Sequence, residues 1–401
     1  MRLTVSIRIL IGVLVIAASG CVLNRNDGRV DSTKHSLGMQ VHGMWVTRWD
    51  YRSPEDVKRV VADAASVGVT DLFWQARGQG DAYYRSNIES WGEELFRDDR
   101  SRTDPGFDPL ELAVHEAHRR GVRIHAWLNI MPMWRGKKKP SDPEHLWYTH
   151  PLWRLQDADG KEQELHDGYV VVNPVYEEVH AYLAGVVGDV VKRYDIDGIH
   201  LDYIRFLSDE IGDKNLVPGD AKSLSMYARA TGNAGIASRV DREKYRAWVR
   251  SRITDLVRTM RTAALREDPG LLYTAAVWRR PDIAKNRYMQ DAALWANSGA
   301  VDLVMPMIYS DDDLRYRDDL KSWFAAVDDR KVVPGIGAYK HDSAGQTINQ
   351  VALGDPRRYA LFAYSTFFDS VNPDQDQSPK ATQQRALRRE TLERFVAASR
   401  P

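Results

Sequence analysis

The chain has 401 residues, 43% hydrophobic and 28% charged, an ordinary globular balance with room for one large barrel domain or two smaller ones. Lysine plus arginine and aspartate plus glutamate number 56 each, and the zero net charge gives no electrostatic reason to expect a nucleic-acid partner. A core of this size needs no metal or disulfide as a staple, and no cofactor is indicated.

Residues 1–21 read as a targeting segment. Arg2 and Arg8 supply positive charge, and Ile7 to Ala18 is an apolar run of signal-core length, too short to span a bilayer. Ala18-Ser19-Gly20-Cys21 follows and resembles the lipobox of bacterial lipoproteins. That resemblance implies lipidation at Cys21 and an exported chain anchored to a membrane of the cell envelope. Cys21 is the only cysteine, so no intramolecular disulfide can form. Val22 to Gln40 is polar and without periodicity, a flexible tether of roughly 25 Å if it behaves as a coil. The folded domain is then expected over residues 41–400.

From residue 42 short β-rich runs alternate with longer amphipathic ones. The strands are predicted at 42–49, 70–75, 122–129, 197–202, 272–278, 302–309, 331–337 and 360–367. The helices are predicted at 54–67, 109–120, 175–194, 242–266, 288–298, 314–327, 346–352 and 382–398. The strands are apolar and rich in Val, Ile and Leu, as parallel strands buried on both faces must be. Eight strand–helix units favour a closed (β/α)8 TIM barrel over an open sheet. Helix-to-strand turns are short and carry Gly68, Gly121 and Gly299, whereas residues 76–108, 130–174 and 203–241 after strands two, three and four are long. The length thus falls on the carboxyl ends of the strands, where barrel enzymes keep their chemistry.

The stretch from Asp195 to Arg205 is the most informative. Alternation along the strand turns Gly198, His200 and Asp202 to the barrel axis if Ile199 and Leu201 face the helices. Asp202 then lies at the carboxyl end in the mouth, where a carboxylate must be paired or used, and Arg205 is placed to keep it ionised. Asp197, at the amino end of the same strand, reads as structural.

Several segments fall in a telling order: His42 to Thr47, Arg77 to Ser86, Phe107 to Leu110, Glu116 to Gly121, His125 to Asn129, Asn173-Pro174 and Asp197 to Arg205. Together they resemble the glycosyl-hydrolase-like family 10 over roughly residues 42–370, a family typified by a bacterial envelope lipoprotein that cuts denuded peptidoglycan glycan strands at division sites. The resemblance implies a (β/α)8 fold and glycoside hydrolysis of an envelope or environmental polysaccharide. Two positions depart from the family: Met307 stands where Gln is common, and Ile130 where proline is usual.

Glycoside hydrolysis needs two carboxyl groups, one to protonate the leaving oxygen and one to attack the sugar or activate water. Asp202 fits the second role. For the acid, Asp81 after the second strand and Asp311 after the sixth rank ahead of Asp369 after the eighth, while the fifth strand ends in Trp278-Arg279-Arg280 and offers none. Arg48, Gln75, Arg77, Asn129, His200, Tyr203, Arg205, Trp278, Tyr309, Tyr339 and Tyr364 lie at or near strand ends and are expected to bind the glycan. Loop aromatics Trp91, Trp134, Trp147, Tyr148 and Trp153 offer flat faces for sugar stacking. The basic run Arg135 to Lys139 reads as a solvated surface, and no His/Cys cluster has metal-ligand spacing. The alternative left open is a non-catalytic glycan-binding lipoprotein on a barrel scaffold.

Overall fold

The computed structural model describes residues 39–96, 104–207, 216–233 and 235–399, so the targeting segment, Cys21 and almost all of the tether lie outside the described residues. The strands, in chain order, are β1 (Val41–Val46), β2 (Asp71–Arg77), β3 (Arg123–Asn129), β4 (Pro132–Arg135), β5 (Tyr169–Val171), β6 (Gly198–Asp202), β7 (Leu272–Trp278), β8 (Leu303–Ile308), β9 (Gly335–Ile336) and β10 (Arg358–Leu361). Eight of them close into a parallel barrel, running β1, β2, β3, β6, β7, β8, β9, β10 and back to β1, while β4 and β5 form a separate antiparallel pair. The helices are α1 (Pro54–Ser66), α2 (Pro109–His118), α3 (Leu146–Thr149), α4 (Glu177–Arg193), α5 (Ala221–Thr231), α6 (Arg239–Glu267), α7 (Pro281–Tyr288), α8 (Ala292–Asn297), α9 (Asp313–Phe324), α10 (Ala344–Leu353) and α11 (Pro379–Ala398). The expected (β/α)8 barrel is therefore the observed fold.

Outside the barrel, valines and alanines seal each helix to the strands. On α1, Val57, Val60, Val61 and Ala64 are fully buried at helical spacing. Its start is fixed by Pro54 at the first turn and by a reciprocal capping box between Ser53 and Asp56. Inside the barrel, the axis is filled by Trp45, Phe73, Trp127, Leu272 and Met305. The Trp45 indole N–H donates to His200 Nε2 at 3.1 Å, so the imidazole proton sits on Nδ1, which meets the Thr274 hydroxyl at 2.8 Å. Gly198 is required: a Cβ there would fall 2.1 Å from His125 Nδ1 and 2.7 Å from the Leu272 carbonyl oxygen.

At the amino end of the barrel an ion network gathers on Asp71. Both Asp71 carboxylate oxygens are satisfied, Oδ1 by Arg123 Nε at 2.7 Å and His125 Nε2 at 2.9 Å, Oδ2 by Thr70 at 2.6 Å and Arg123 Nη2 at 2.6 Å. Asp197 accepts the Ile124 N–H at 2.8 Å and meets His118 at 2.9 Å, which makes it a floor residue as its position implied.

Four differences from the predicted elements matter. The long loop after the third strand is not structureless but carries β4 and β5 and the short α3. The predicted helix at 288–298 forms only from Ala292, as α8, and an unpredicted helix, α7, precedes it and ends where Met289 adopts a left-handed conformation (φ 58°). A helix, α5, forms within the fourth loop, capped by Asp220 on the Ser223 N–H. The last strand stops at Leu361: a 3-10 turn over Tyr364–Thr366 follows, closed by the Thr366 hydroxyl on the Ala363 N–H at 3.3 Å.

Candidate active site

The carboxyl ends of the strands enclose a cavity of about 140 Å³ lined by Trp45, Thr47, Arg48, Trp49, Gln75, Trp127, Asn129, Tyr169, Asp202, Tyr203, Ala276, Met307, Tyr309 and Phe362. A wider groove of about 490 Å³ near α10 and α11 includes no strand-end residue. Asp202 is the only carboxylate among the described residues lining the mouth cavity, and it is 4% exposed. Its Oδ1 accepts the Tyr203 N–H at 2.6 Å. Burial pushes its carboxyl up to about 6 against the opposing pull of the Arg205 charge and the Tyr203 N–H. The Trp127 indole N–H, which has no hydrogen-bond partner, is close enough to favour the charged form as well. Asp202 thus titrates near neutrality inside an aromatic pocket, the condition under which one carboxyl can serve as proton acceptor, proton donor or nucleophile.

The Arg48 guanidinium forms one wall. Its backbone N–H donates to Gln75 Oε1 at 3.0 Å, and its side chain donates to Glu94 Oε1 at 3.2 Å, Tyr169 Oη at 3.3 Å and Gln79 Oε1 at 3.4 Å. It also lies 4.0 Å from the centroid of the Trp49 ring. Behind this wall are two carboxyls. Burial, then the neighbouring Glu94 charge, pushes Asp81 up to about 7, although Arg48 and the Gln79 N–H oppose the shift. Burial also pushes Glu94 up, but Arg48 and the Tyr83 hydroxyl overcome it and the group stays below the usual range. Of the two coupled carboxyls, Asp81 is thus the one that favours the proton and Glu94 the one that favours the charge. Asp81 Oδ1 accepts the Gln79 N–H at 2.8 Å, while Oδ2 has no partner.

Of the residues expected here from sequence, Arg48, Gln75, Asn129, Asp202, Tyr203 and Tyr309 are brought together around the cavity. Asn129 donates to the Gly78 carbonyl at 3.0 Å and leaves its Oδ1 buried and unpaired. Tyr339 stands at the rim, 50% exposed, against Phe362 and Tyr309. Arg205 and Trp278 lie next to the mouth, with the guanidinium carbon 5.0 Å from the indole centroid. His200 is one layer below, wholly buried by its bonds to Trp45 and Thr274.

Other expected residues lie elsewhere. Arg77 is not free for a ligand: it forms a buried ion pair with Glu89 at 2.7 Å and donates to the Asn129 and Ile130 carbonyls, which fixes the path of the third loop. Tyr364 turns away from the mouth and donates to Asp63 on α1 at 2.7 Å, because the chain has already left the strand. Asp311 is exposed and outside the cavity. Asp369 is bound by Arg385 at 2.7 Å. The loop aromatics mostly fasten loops. Trp134 and Trp147 are 5% exposed, the first bonded to the Lys138 carbonyl at 2.6 Å and the second under Arg154. Trp153 packs on His150 and Tyr182. The cavity's own rings are instead Trp45, Trp49, Trp127, Tyr169, Tyr203, Tyr309 and Phe362. Trp127 was available from alternation, since it shares a strand face with His125 and Asn129; Glu94 and Tyr169, brought in by loops, had no such signal.

Solved structures share this architecture. The glycoside hydrolase domain of PgaB (BpsB) from Bordetella bronchiseptica superposes with a TM-score of 0.60 at 14% identity, covering 87% of this chain and 98% of that one. The alpha-L-fucosidase isoenzyme 2 from Paenibacillus thiaminolyticus does so at 0.58 and 16%, covering 90% and 50%. In sequence, the chain is 25% identical over 288 residues to the glycosyl hydrolase DigH of Escherichia coli, an alignment that covers 65% of this chain and 60% of that relative. It is 29% identical over 147 residues to the glycosyl hydrolase YngK of Bacillus subtilis, 36% of this chain and 26% of that one. Residues 40–338, which include every barrel strand but the last, match the family described as glycosyl hydrolase-like 10, and the chain belongs to that family.

Proposed function

We propose that the barrel mouth hydrolyses glycosidic bonds in a cell-envelope polysaccharide, with peptidoglycan glycan strands as the favoured substrate, and that Asp202 is its central catalytic group. The observation that carries this reading is the Asp202 carboxyl, buried at the carboxyl end of β6 within a cavity walled by Trp45, Trp127, Tyr309 and Phe362 and poised near neutrality. The aromatic faces receive the C–H faces of a sugar, and Gln75, Asn129 and Arg48 receive hydroxyls. The ionised Asp202 attacks the anomeric carbon or activates water, and the leaving oxygen takes its proton from a second carboxyl, for which Asp81, raised by burial behind the Arg48 wall, is the candidate. The name of the Escherichia coli relative supports a glycosyl hydrolase; the choice of envelope polymer rests on the lipobox-like Ala18 to Cys21 segment, which also supports a lipid-anchored location.

A second reading, a glycan-binding barrel without catalysis, is favoured by one observation: Asp81 is 1% exposed and, like Glu94, lies outside the described lining of the cavity. One experiment separates the two. Amidase-denuded glycan strands are incubated with the wild type and with Asp202→Asn, and reducing ends are counted. Hydrolysis predicts release by the wild type and a loss of about 1,000-fold or more in the variant. Binding without release by either protein selects the second reading, and equal release by both removes Asp202 from the chemistry.

A further inference from the structure

Arg205 is 6% exposed, yet among the described residues no carboxylate takes a hydrogen bond from it. Among the described residues its hydrogen bond runs to the Phe206 carbonyl at 3.5 Å, and its Nε is buried without a partner there. What surrounds it is aromatic: the guanidinium carbon lies 4.7 Å from the Tyr203 centroid, 5.0 Å from Trp278 and 5.8 Å from Tyr288. Trp278 and Tyr288 pack on each other at 4.1 Å, and Tyr203 meets Tyr169 of β5 edge-on at 4.9 Å. A column of rings with the Arg205 cation inside it thus runs from α7 to β5. Its inner ring belongs to Tyr203, whose backbone is left-handed (φ 49°), a conformation that costs a bulky residue roughly 1–3 kcal/mol and persists only where the surroundings enforce it. That conformation carries the N–H to Asp202 Oδ1.

We infer that Arg205 is a positioning residue for Asp202: clamped among Trp278, Tyr288 and Tyr203, it holds the left-handed Tyr203 backbone whose N–H aims the carboxylate, and it supplies the positive charge that favours the ionised carboxylate. The inference rests on the hydrolase reading for its kinetic test but not for its spectroscopic one. Its hold on a carbonyl is a single long hydrogen bond, and among the described residues no carboxylate pairs with it, so its charge stands beside the one acid lining the cavity, where desolvation by the rings strengthens its field. The titratable and charged groups that face Asp202 are Arg205 and Tyr203 on the chain after β6 and Tyr309 after β8, with Tyr169 of β5 and Arg48 after β1 beyond Tyr203. Tyr203 and Tyr309 are neutral at physiological pH, since burial raises both, and Arg48 is engaged by Glu94, so among the described residues Arg205 is the cation left to act on the carboxylate.

The test uses the full chain and two variants that separate charge from stacking. Arg205→Met removes the charge and keeps apolar bulk; Arg205→Lys keeps the charge and loses the planar face. The Asp202 titration is followed by 13C NMR on aspartate-labelled protein, assigned with Asp202→Asn, and the pH profile of kcat/KM is measured on denuded glycan strands. In Arg205→Met the Asp202 midpoint should rise by about one unit or more, with the acidic limb of the profile moving by the same amount. In Arg205→Lys the midpoint should stay within about 0.3 units while kcat falls roughly tenfold or more and KM changes little. An unmoved midpoint in Arg205→Met overturns the electrostatic half, and wild-type kcat in Arg205→Lys overturns the positioning half. Should Arg205→Met not fold, Arg205→Gln replaces it for the titration with the same two outcomes. Absence of cleavage by the wild type would instead remove the hydrolase reading, while the NMR titration still decides the electrostatic role of Arg205.

Discussion

The two ends of the barrel bury carboxylates in opposite ways. At the amino end, Asp71 has both oxygens satisfied by Arg123, His125 and Thr70; burial pushes its carboxyl up, but these partners more than reverse the shift and hold it far below the usual range. At the carboxyl end, Asp202 takes one backbone N–H, Asp81 leaves an oxygen bare, and burial raises both. The same residue type therefore stabilises one rim and costs stability at the other. A completed set of partners marks the stability face, and an incomplete set is the mark of groups reserved for a ligand or a reaction.

Three measurements would sharpen or break this contrast, apart from the tests of Asp202 and Arg205. The largest effect is expected at the floor. Asp71→Asn strands Arg123 and His125 and should cost about 3–5 kcal/mol in urea unfolding at neutral pH. Because the folded-state value of Asp71 lies below the unfolded one, its contribution is present above the usual carboxylate range and is lost as pH falls through and below it. A cost of Asp71→Asn that is the same at pH 7 and at pH 3 would remove the floor network from this account.

The mouth should respond with the opposite sign. Asp202 ionises at about 6 when folded, against an ordinary value of 3.8, so as pH rises from 4 to 6 the unfolded chain gives up this proton first and the fold loses stability. Asp202→Asn escapes that loss and should be more stable than the wild type by about 1–3 kcal/mol at pH 7, with the gain vanishing near pH 4. Calorimetry at the two pH values reads it. A variant destabilised at pH 7 would show that Asp202 is paired like its counterparts on the floor. The smallest effect concerns the rim. Tyr339→Ala removes a half-exposed ring that packs on Tyr309 and Phe362 and should raise KM by roughly fivefold, about 1 kcal/mol, with kcat kept. An unchanged KM would take Tyr339 out of the sugar path.

The barrel could be read from sequence because its strands carry a strong local signal, two-sided burial, and because glycines punctuate the helix-to-strand turns. Asp202 could be read for the same reason: once β6 is a strand, alternation decides which way its side chain points. Trp127 obeyed the same rule. Where the polar residues lay beyond a strand's end, the rule lapsed. Tyr364 was expected at the mouth, but the chain had entered a 3-10 turn that rotates the ring toward α1. Arg77 does lie on a strand, and its guanidinium is nevertheless taken by Glu89, a residue of the second loop whose approach no periodicity announces. Glu94 and Tyr169 reach Arg48 through the second and third loops, and contacts of that kind depend on tertiary packing rather than local pattern.

The Arg77 clamp has a consequence for how the entrance can move. One guanidinium seizes carbonyls at the start of the third loop while its partner acid, Glu89, sits in the second loop and also accepts the Tyr182 hydroxyl of α4 at 3.1 Å. Two long excursions of backbone and a helix are therefore bolted at a single point. That sector of the rim can shift only as a block, so the adjustment that an incoming polymer demands is left to side chains such as Tyr339 that stand apart from the bolt.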